Sequence, residues 1–167
     1  MDDHGQALPP RRPGRADPHL AEGRGPQGLG LRLPARRIVL KRILLVEDDP
    51  AVSYILQRYL EKAGFAVLAA GGGKEALDLF ASSSIDLVVT DFRMPGMNGE
   101  ELLFALRTRH PALPALIVSA YANELSLRIP GVPVLSKPVD AEALADLVNN
   151  LLLDAATVAM NKADSAG

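Results

Sequence analysis

Apolar and polar positions follow two alternating periods along the chain from Ile38 onward. Short apolar runs of strand length are each followed by a longer stretch in which apolar residues recur at every third or fourth position, as on one face of a helix. The strand-length runs cover residues 42–46, 66–69, 87–90, 115–118 and 134–136. This alternation predicts an α/β fold in which helices cover a doubly wound parallel sheet with five strands and five helices.

The helical stretches carry start and stop signals. Pro50, preceded by acidic residues, suits the first turn of the first helix, and Gly64 ends that helix. Asp140 is the predicted N-cap of the fifth helix, which is predicted to end near Leu153. The fourth helix is predicted to be short, because Pro130 follows its start too closely. Inward-facing apolar residues are predicted at Val52, Ile55, Leu56, Tyr59, Leu60, Ala63, Ala76, Leu77, Phe80, Leu102, Leu103, Leu106, Leu144, Leu147, Val148, Leu151 and Leu152.

The N-terminal part of the chain differs in composition from the rest. Residues 1–42 carry nine Lys/Arg and four Asp/Glu, a net charge of +5, whereas residues 43–167 carry nine basic and sixteen acidic residues, a net charge of -7. A stretch rich in Pro, Gly and Arg cannot bury enough apolar area to offset its chain entropy. We therefore expect a disordered extension over residues 1–39, one folded domain over 40–153 and a flexible tail over 154–167.

Composition also excludes several classes of protein. The chain contains no cysteine, which excludes disulfide frameworks, thiolate zinc sites and cysteine nucleophiles. It has no uninterrupted run of 18 apolar residues, and the Arg-rich start lacks the apolar core of a secretory signal. The sequence therefore predicts a cytoplasmic protein that does not associate with a membrane.

Charged and hydroxyl side chains stand where four of the predicted strands end. They are Glu47, Asp48, Asp49, Asp91, Ser119 and Lys137. Singly, each is more often a helix cap, a turn residue or a solvated charge. Together they lie where a doubly wound sheet places its ligands, and clustered carboxylates repel one another unless a cation lies among them. Magnesium prefers such oxygen ligands, while an ammonium and a hydroxyl suit a phosphoryl group.

An ionised aspartate can also act as a nucleophile towards phosphorus, so these residues predict a phosphoacceptor site. Attack on phosphorus needs positioning and charge neutralisation more than acid–base chemistry.

Four segments at these strand ends resemble the receiver domain of two-component response regulators, of which chemotaxis regulators are one kind. The segments are ILLVEDDP from Ile43, VVTDFRMPGMNG from Val88, LIVSA from Leu116 and LSKP from Leu135. They occur in the order typical of that family. The resemblance implies a flavodoxin-like sheet with strand order 2-1-3-4-5.

The resemblance also implies a magnesium-dependent phosphoacceptor. Asp91 would be phosphorylated by a sensor histidine kinase or a histidine phosphotransfer protein. Asp48 would bind Mg²⁺ directly and Glu47 through water, with Asp91 and the backbone carbonyl of Arg93 as further ligands. Asp49 would be a neighbour of the ion and not a ligand.

Two residues would then bind the phosphoryl group itself. Lys137 would pair with its oxygens, and the peptide bond between Lys137 and Pro138 is expected to be cis. Ser119 would donate its hydroxyl to the phosphoryl group after transfer. Such a protein would not be an enzyme in the ordinary sense, because it catalyses only its own phosphorylation and dephosphorylation.

The sequence departs from the family pattern at two places. Receivers commonly carry Tyr or Phe in the fifth strand, where this chain has Val134. The segment from Ser119 to Lys137 is about one helical turn shorter than the family's, with the loss in the fourth helix. Tyr121 and Arg93, two residues beyond Ser119 and Asp91, are predicted to modulate hydrolysis of the phosphoryl group.

Three other functions compete with this prediction. The chain could be a pseudo-receiver that binds a protein partner without phosphorylation. It could be a receiver fragment of a hybrid histidine kinase, since Gly28-Leu29-Gly30-Leu31 resembles the glycine box of a kinase nucleotide lid. A transcription regulator is disfavoured, because no helix-turn-helix pattern follows Leu153 and no DNA-binding domain is predicted.

Overall fold

The computed structural model describes residues 38–125 and 131–165. Its strands are β1 (Arg42–Val46), β2 (Ala66–Ala70), β3 (Leu87–Asp91), β4 (Ala115–Ser119) and β5 (Val134–Ser136). Its helices are α1 (Pro50–Lys62), α2 (Gly73–Ser82), α3 (Gly99–Arg109), α4 (Ala122–Leu125) and α5 (Ala141–Asp164). The predicted disorder up to residue 37, the Gly28–Leu31 glycine box and the end of the predicted fourth helix lie outside the described residues.

The five strands form one parallel sheet in the order β2-β1-β3-β4-β5. The predicted α/β class, doubly wound sheet and strand order are therefore confirmed. β1, β3 and β4 lie in the centre and are buried on both faces, which explains why their sequences are almost wholly apolar.

Successive residues of the central strands point into two different cores. On one face Leu44 and Val46 pack in a cluster with residues of α2, α3 and α4, including Leu102. On the other face Ile43 and Leu45 pack with α1 and α5. The period of two along each strand thus determines which helices it contacts.

Polar side chains determine where the helices next to the sheet edge begin. Asp49 caps α1 by accepting from the backbone N–H groups of Ala51 at 2.8 Å and Val52 at 3.1 Å. Asn98 and Glu101 form a capping box at the start of α3, and Asp140 caps α5 as predicted. Each cap lies in the loop that follows a strand, and so it also orients the residues at that edge.

Three predictions about the helices are wrong. α5 does not end near Leu153 but continues to Asp164, because the following residues are rich in alanine and contain no proline or glycine to stop the helix. Ile55 and Ala63, both predicted to face inward, are exposed, Ile55 to 47%, because the sheet covers only Leu56 and Leu60 of this stripe fully. The described part of the fourth helix comprises four residues, and since residues 126–130 lie outside the described range, the predicted shortness of this helix stays a prediction.

α5 is also long and apolar enough to cross a membrane, judged by length and composition alone. Its first half supplies Leu144 and Val148 to the core of the domain, where both side chains are fully buried. From Ala156 onward every described residue of the helix is exposed.

Candidate functional site

The predicted site residues lie together at the edge of the sheet where the strands end. Glu47 follows β1, Asp91 and Ser119 are the last residues of β3 and β4, and Lys137 follows β5. Asp91 is paired with Val118 in the sheet, so Ser119 lies one residue beyond its neighbour on β4. Parallel pairing of adjacent strands thus brings residues that are distant in sequence to one edge.

Three carboxylates form a compact acidic cluster at this edge. Glu47, Asp48 and Asp91 each offer one oxygen, and these oxygens lie within 4.8 Å of one another. Glu47 and Asp91 are buried, whereas Asp48 is exposed. Asp49 points elsewhere and caps α1, so the structure separates it from the acidic cluster as the sequence predicted.

Lys137 lies between two of these carboxylates. Its Nζ is 2.7 Å from Oε2 of Glu47 and 3.3 Å from Oδ1 of Asp91. Its backbone N–H donates to the carbonyl of Ser119 at 3.0 Å, which ties the loop after β5 to the end of β4. The peptide bond between Lys137 and Pro138 is cis, which confirms that prediction.

The charges at the site influence one another. Burial raises the pKa of Glu47 above its ordinary value of 4.5, and hydrogen bonds from Lys137 and from the backbone N–H of Asp49 offset this only in part. Burial by itself would lower the pKa of Lys137, but its bond to Glu47 and the charge of Asp91 outweigh burial. The pKa of Lys137 therefore lies above 10.5, and the ammonium is retained at neutral pH.

Ser119 is buried, with 1% of its surface exposed. Its hydroxyl oxygen accepts a hydrogen bond from the backbone N–H of Tyr121 at 3.0 Å. The carbonyl of Tyr121 in turn accepts from the N–H groups of Glu124 and Leu125, in the first turn of α4. The hydroxyl at the site is thus linked through one residue to α4.

The two predicted modulatory residues beside Asp91 and Ser119 contact each other. The guanidinium carbon of Arg93 lies 3.9 Å from the centre of the Tyr121 ring, a cation–π contact. Tyr121 is 46% exposed, so the pair lies at the surface beside the site. Val134, the third predicted modulatory residue, is partly buried and packs against the core that contains Leu44.

Gly99 allows the loop after β3 to fold back on Asp91. A Cβ atom at this position would collide with the backbone oxygen of Asp91, and the Gly99 N–H donates to the carbonyl of Phe92 at 2.8 Å. The close approach requires glycine, which explains the last residue of the PGMNG turn. The loop after β3 therefore packs closely against the backbone of Asp91 and Phe92.

The donor set fits a small, hard cation. The three side chains of the acidic cluster are all carboxylates, and magnesium is bound in proteins through carboxylate oxygens together with several waters. The exposed position of Asp48 leaves room for that water. Softer metals prefer nitrogen or sulfur, which the acidic cluster does not offer.

Sequence reasoning found the members of the site but missed three of its contacts. These are the ion pair of Lys137 with Glu47, the bond from Tyr121 to Ser119, and the stack of Arg93 on Tyr121. The equal spacing of Arg93 from Asp91 and of Tyr121 from Ser119 was the available signal for the last contact. No described contact involves the carbonyl of Arg93, so its role as a ligand stays a prediction.

A family model described as the response regulator receiver domain matches residues 43–149. The response regulator FleR of Pseudomonas aeruginosa is 40% identical in an alignment of 112 positions that covers 64% of this chain and 24% of that protein. This chain thus spans about a quarter or less of the length of the first curated relatives it matches.

Solved structures have the same fold. The response regulator TrrA of Thermotoga maritima, in complex with Mg²⁺-BeF, has a TM-score of 0.61 and 29% identity, and the match covers 67% of this chain and 99% of that one. The receiver domain of the hybrid histidine kinase CckA has a TM-score of 0.58 and 37% identity, with 66% and 98% covered.

Proposed function

The chain belongs to the response regulator receiver domain family, and on this premise we propose that it accepts a phosphoryl group on Asp91 in two-component signalling. The observation that carries the proposal is the position of Lys137, whose ammonium bridges Glu47 and Asp91 beside the acidic cluster. A buried carboxylate held next to a fixed cation is arranged to bind and receive a phosphoryl group.

Asp91, Lys137 and Ser119 each have a separate role in the transfer. A carboxylate oxygen of Asp91 forms a bond to phosphorus while the bond from phosphorus to the donor's imidazole nitrogen breaks, and the electron pair stays on the imidazole. Lys137 neutralises charge on the phosphoryl oxygens during transfer. Ser119 donates its hydroxyl to one of these oxygens afterwards.

Mg²⁺ would be held by Asp48 and Asp91 directly, by Glu47 through water and by the carbonyl of Arg93. When bound, it would supply the positive charge that three carboxylates and an incoming phosphoryl group lack. The ligand chemistry of the acidic cluster and the Mg²⁺-BeF complex of TrrA support this assignment.

The donor is a sensor histidine kinase or a histidine phosphotransfer protein, and the reaction takes place in the cytoplasm. An apolar groove of about 480 Å³ adjoins the site and offers a docking surface for it. Its lining includes Ile55 and Tyr59 of α1 and also Lys137 and Pro138, so a protein that docks there would present its histidine close to Asp91.

The direct test is phosphorylation of the purified chain with Mg²⁺ and acetyl phosphate. We expect an acid-stable, base-labile mass increase of one phosphoryl group that disappears in Asp91→Asn and when Mg²⁺ is chelated. Asp86→Asn is the matched control. Asp86 lies just before β3, away from the site, and accepts hydrogen bonds from the Lys41 ammonium and the backbone N–H of Arg42. Labelling of Asp91→Asn, or no label in a folded chain that binds Mg²⁺, would contradict the proposal.

The same experiment separates the proposed function from a pseudo-receiver but not from a receiver of a hybrid kinase. If the chain is a pseudo-receiver, the wild type and Asp91→Ala should bind the protein partner equally well, and neither should be labelled. A receiver from a hybrid kinase would be labelled on Asp91 in the same way, and the similarity to the CckA receiver favours this as the second candidate. Only transfer from a kinase expressed on the same polypeptide would distinguish it.

A further inference from the structure

Arg93 and Tyr121 connect the two loops beside the site. Arg93 lies two residues beyond the proposed phosphoacceptor Asp91, and Tyr121 lies two residues beyond Ser119. Their side chains meet in the cation–π contact at 3.9 Å. Within the described residues, no ion pair is recorded for the guanidinium of Arg93, although the acidic cluster is close in sequence.

We propose that Arg93 is a switch residue that leaves the Tyr121 ring for the phosphoryl group, and that the released Tyr121 carries the signal to α4. The inference rests on the proposed function and deepens it. It assigns to the stacked pair a role in reading the phosphorylation state of Asp91.

A phosphoryl group would compete successfully for Arg93. A surface cation–π contact contributes about two- to fivefold to an equilibrium, whereas a hydrogen bond between ionised groups contributes about tenfold or more. The guanidinium is a planar donor suited to two phosphoryl oxygens at once. Phosphorylation of Asp91 thus offers the guanidinium of Arg93 a stronger partner than the aromatic ring. This partner would be attached to a residue only two positions before Arg93 in the sequence.

Tyr121 is positioned to transmit the change. Its N–H donates to the Ser119 hydroxyl, and its carbonyl accepts from Glu124 and Leu125 in α4. A Ser119 hydroxyl that turns to a phosphoryl oxygen alters the first contact, while loss of Arg93 frees the ring. Both events act on the same residue, and α4 begins directly after it.

β5 does not supply an aromatic side chain that could respond at this edge of the sheet. The strand consists of Val134, Leu135 and Ser136 and carries no aromatic side chain. Of the three tyrosines in the chain, Tyr54 and Tyr59 belong to α1, which packs on the face of the sheet opposite to that of α4. Tyr121 is therefore the tyrosine placed to respond at the end of β4.

The test is a double-mutant cycle on the affinity for beryllium fluoride, a phosphoryl mimic, at fixed Mg²⁺ concentration, followed by ¹⁹F NMR. Tyr121→Leu removes the competing ring and should tighten binding by about two- to fivefold. Arg93→Gln should weaken binding. In the Arg93→Gln background, Tyr121→Leu should then have no effect, because the ring no longer competes for a cation.

Tyr121→Phe is the matched control, since it keeps the ring and should bind the mimic as the wild type does. Ring resonances of Tyr121 in selectively labelled protein should also shift towards those of free tyrosine when the mimic binds. An equal effect of Tyr121→Leu in both backgrounds, or unchanged ring resonances with the mimic bound, would overturn the inference alone. Failure to bind the mimic and to accept phosphate would overturn the proposed function together with it.

Discussion

At the scale of residues, the site holds more negative than positive side chains. Three carboxylates lie within 4.8 Å, and Lys137 alone among the described basic residues forms ion pairs with them. Like charges at this separation repel by about 1 kcal/mol in water and more in a less polar surrounding. The chain thus retains unfavourable interactions that a bound cation would relieve.

We predict that Asp48→Asn stabilises the metal-free protein by about 1 kcal/mol, because it removes one of the repelling charges at an exposed position. The variant should gain little further stability from Mg²⁺, while the wild type should gain in proportion to its binding. Urea denaturation with EDTA and with Mg²⁺ measures both effects. Asp146→Asn, on the exposed surface of α5, should behave as the wild type. A variant less stable than the wild type in EDTA would contradict the electrostatic argument.

Glu47 gives the metal-free protein a defined pH dependence. Its pKa is raised above 4.5 in the folded state, so the folded protein binds this proton more tightly than the unfolded chain does. This contribution to the free energy of unfolding is complete below pH 4.5 and is lost as the pH rises through the raised pKa. Denaturation in EDTA across this range should show a smaller decline in Glu47→Gln than in the wild type. Glu142→Gln, at the exposed start of α5, should keep the wild-type slope.

At the scale of elements, α1 joins the site to the surface. Its buried residues hold it against the sheet, while Ile55 and Tyr59 line the groove beside Lys137 and Pro138. A substitution on the groove-lining face of α1 should therefore affect phosphoryl transfer from a protein donor but not from a small-molecule donor.

We predict that Ile55→Glu slows phosphoryl transfer from a histidine kinase that labels the wild type by at least about tenfold, the effect expected when a charge replaces an apolar contact in an interface. Labelling by acetyl phosphate should stay unchanged, because a small donor needs no docking surface. Tyr54→Glu is the matched control, as Tyr54 is exposed on the same helix but does not line the groove. Equal slowing with both donors would place the defect in the site itself.

The elements also show how far sequence reasoning reaches. The strand ends could be predicted because each apolar run stops at a polar residue, and parallel strands end at one edge. The exposure of Ile55 could not, because the helical stripe is wider than the surface that covers it. The stack of Arg93 on Tyr121 depends on two loop conformations, which the local pattern does not encode.

At the scale of the whole molecule, the C-terminal boundary of the folded domain was predicted wrongly, because α5 was expected to end near Leu153. The last core residue of α5 with no exposure is Val148, yet the helix continues to Asp164. The alanine-rich continuation has high helix propensity but little amphipathic pattern, which made it resemble a tail.

We predict that removal of residues 157–167 changes the free energy of unfolding by less than about 1 kcal/mol and leaves labelling of Asp91 intact, because the described residues of this stretch are exposed. Truncation after Leu147 should instead abolish cooperative unfolding, since it removes Val148 from the core. Thermal and urea denaturation of both truncated chains measure the difference. A large loss of stability in the shorter deletion would show that the exposed part of α5 is packed.

The geometry of α5 has a mechanical consequence. At 1.5 Å per residue, the part from Val148 to Asp164 extends about 24 Å from its last fully buried anchor. A rotation of the anchored end by only about 5° would sweep the far end through about 2 Å. Small rotations of α5 beside the sheet would therefore be amplified to displacements of about 2 Å at the exposed end of the helix.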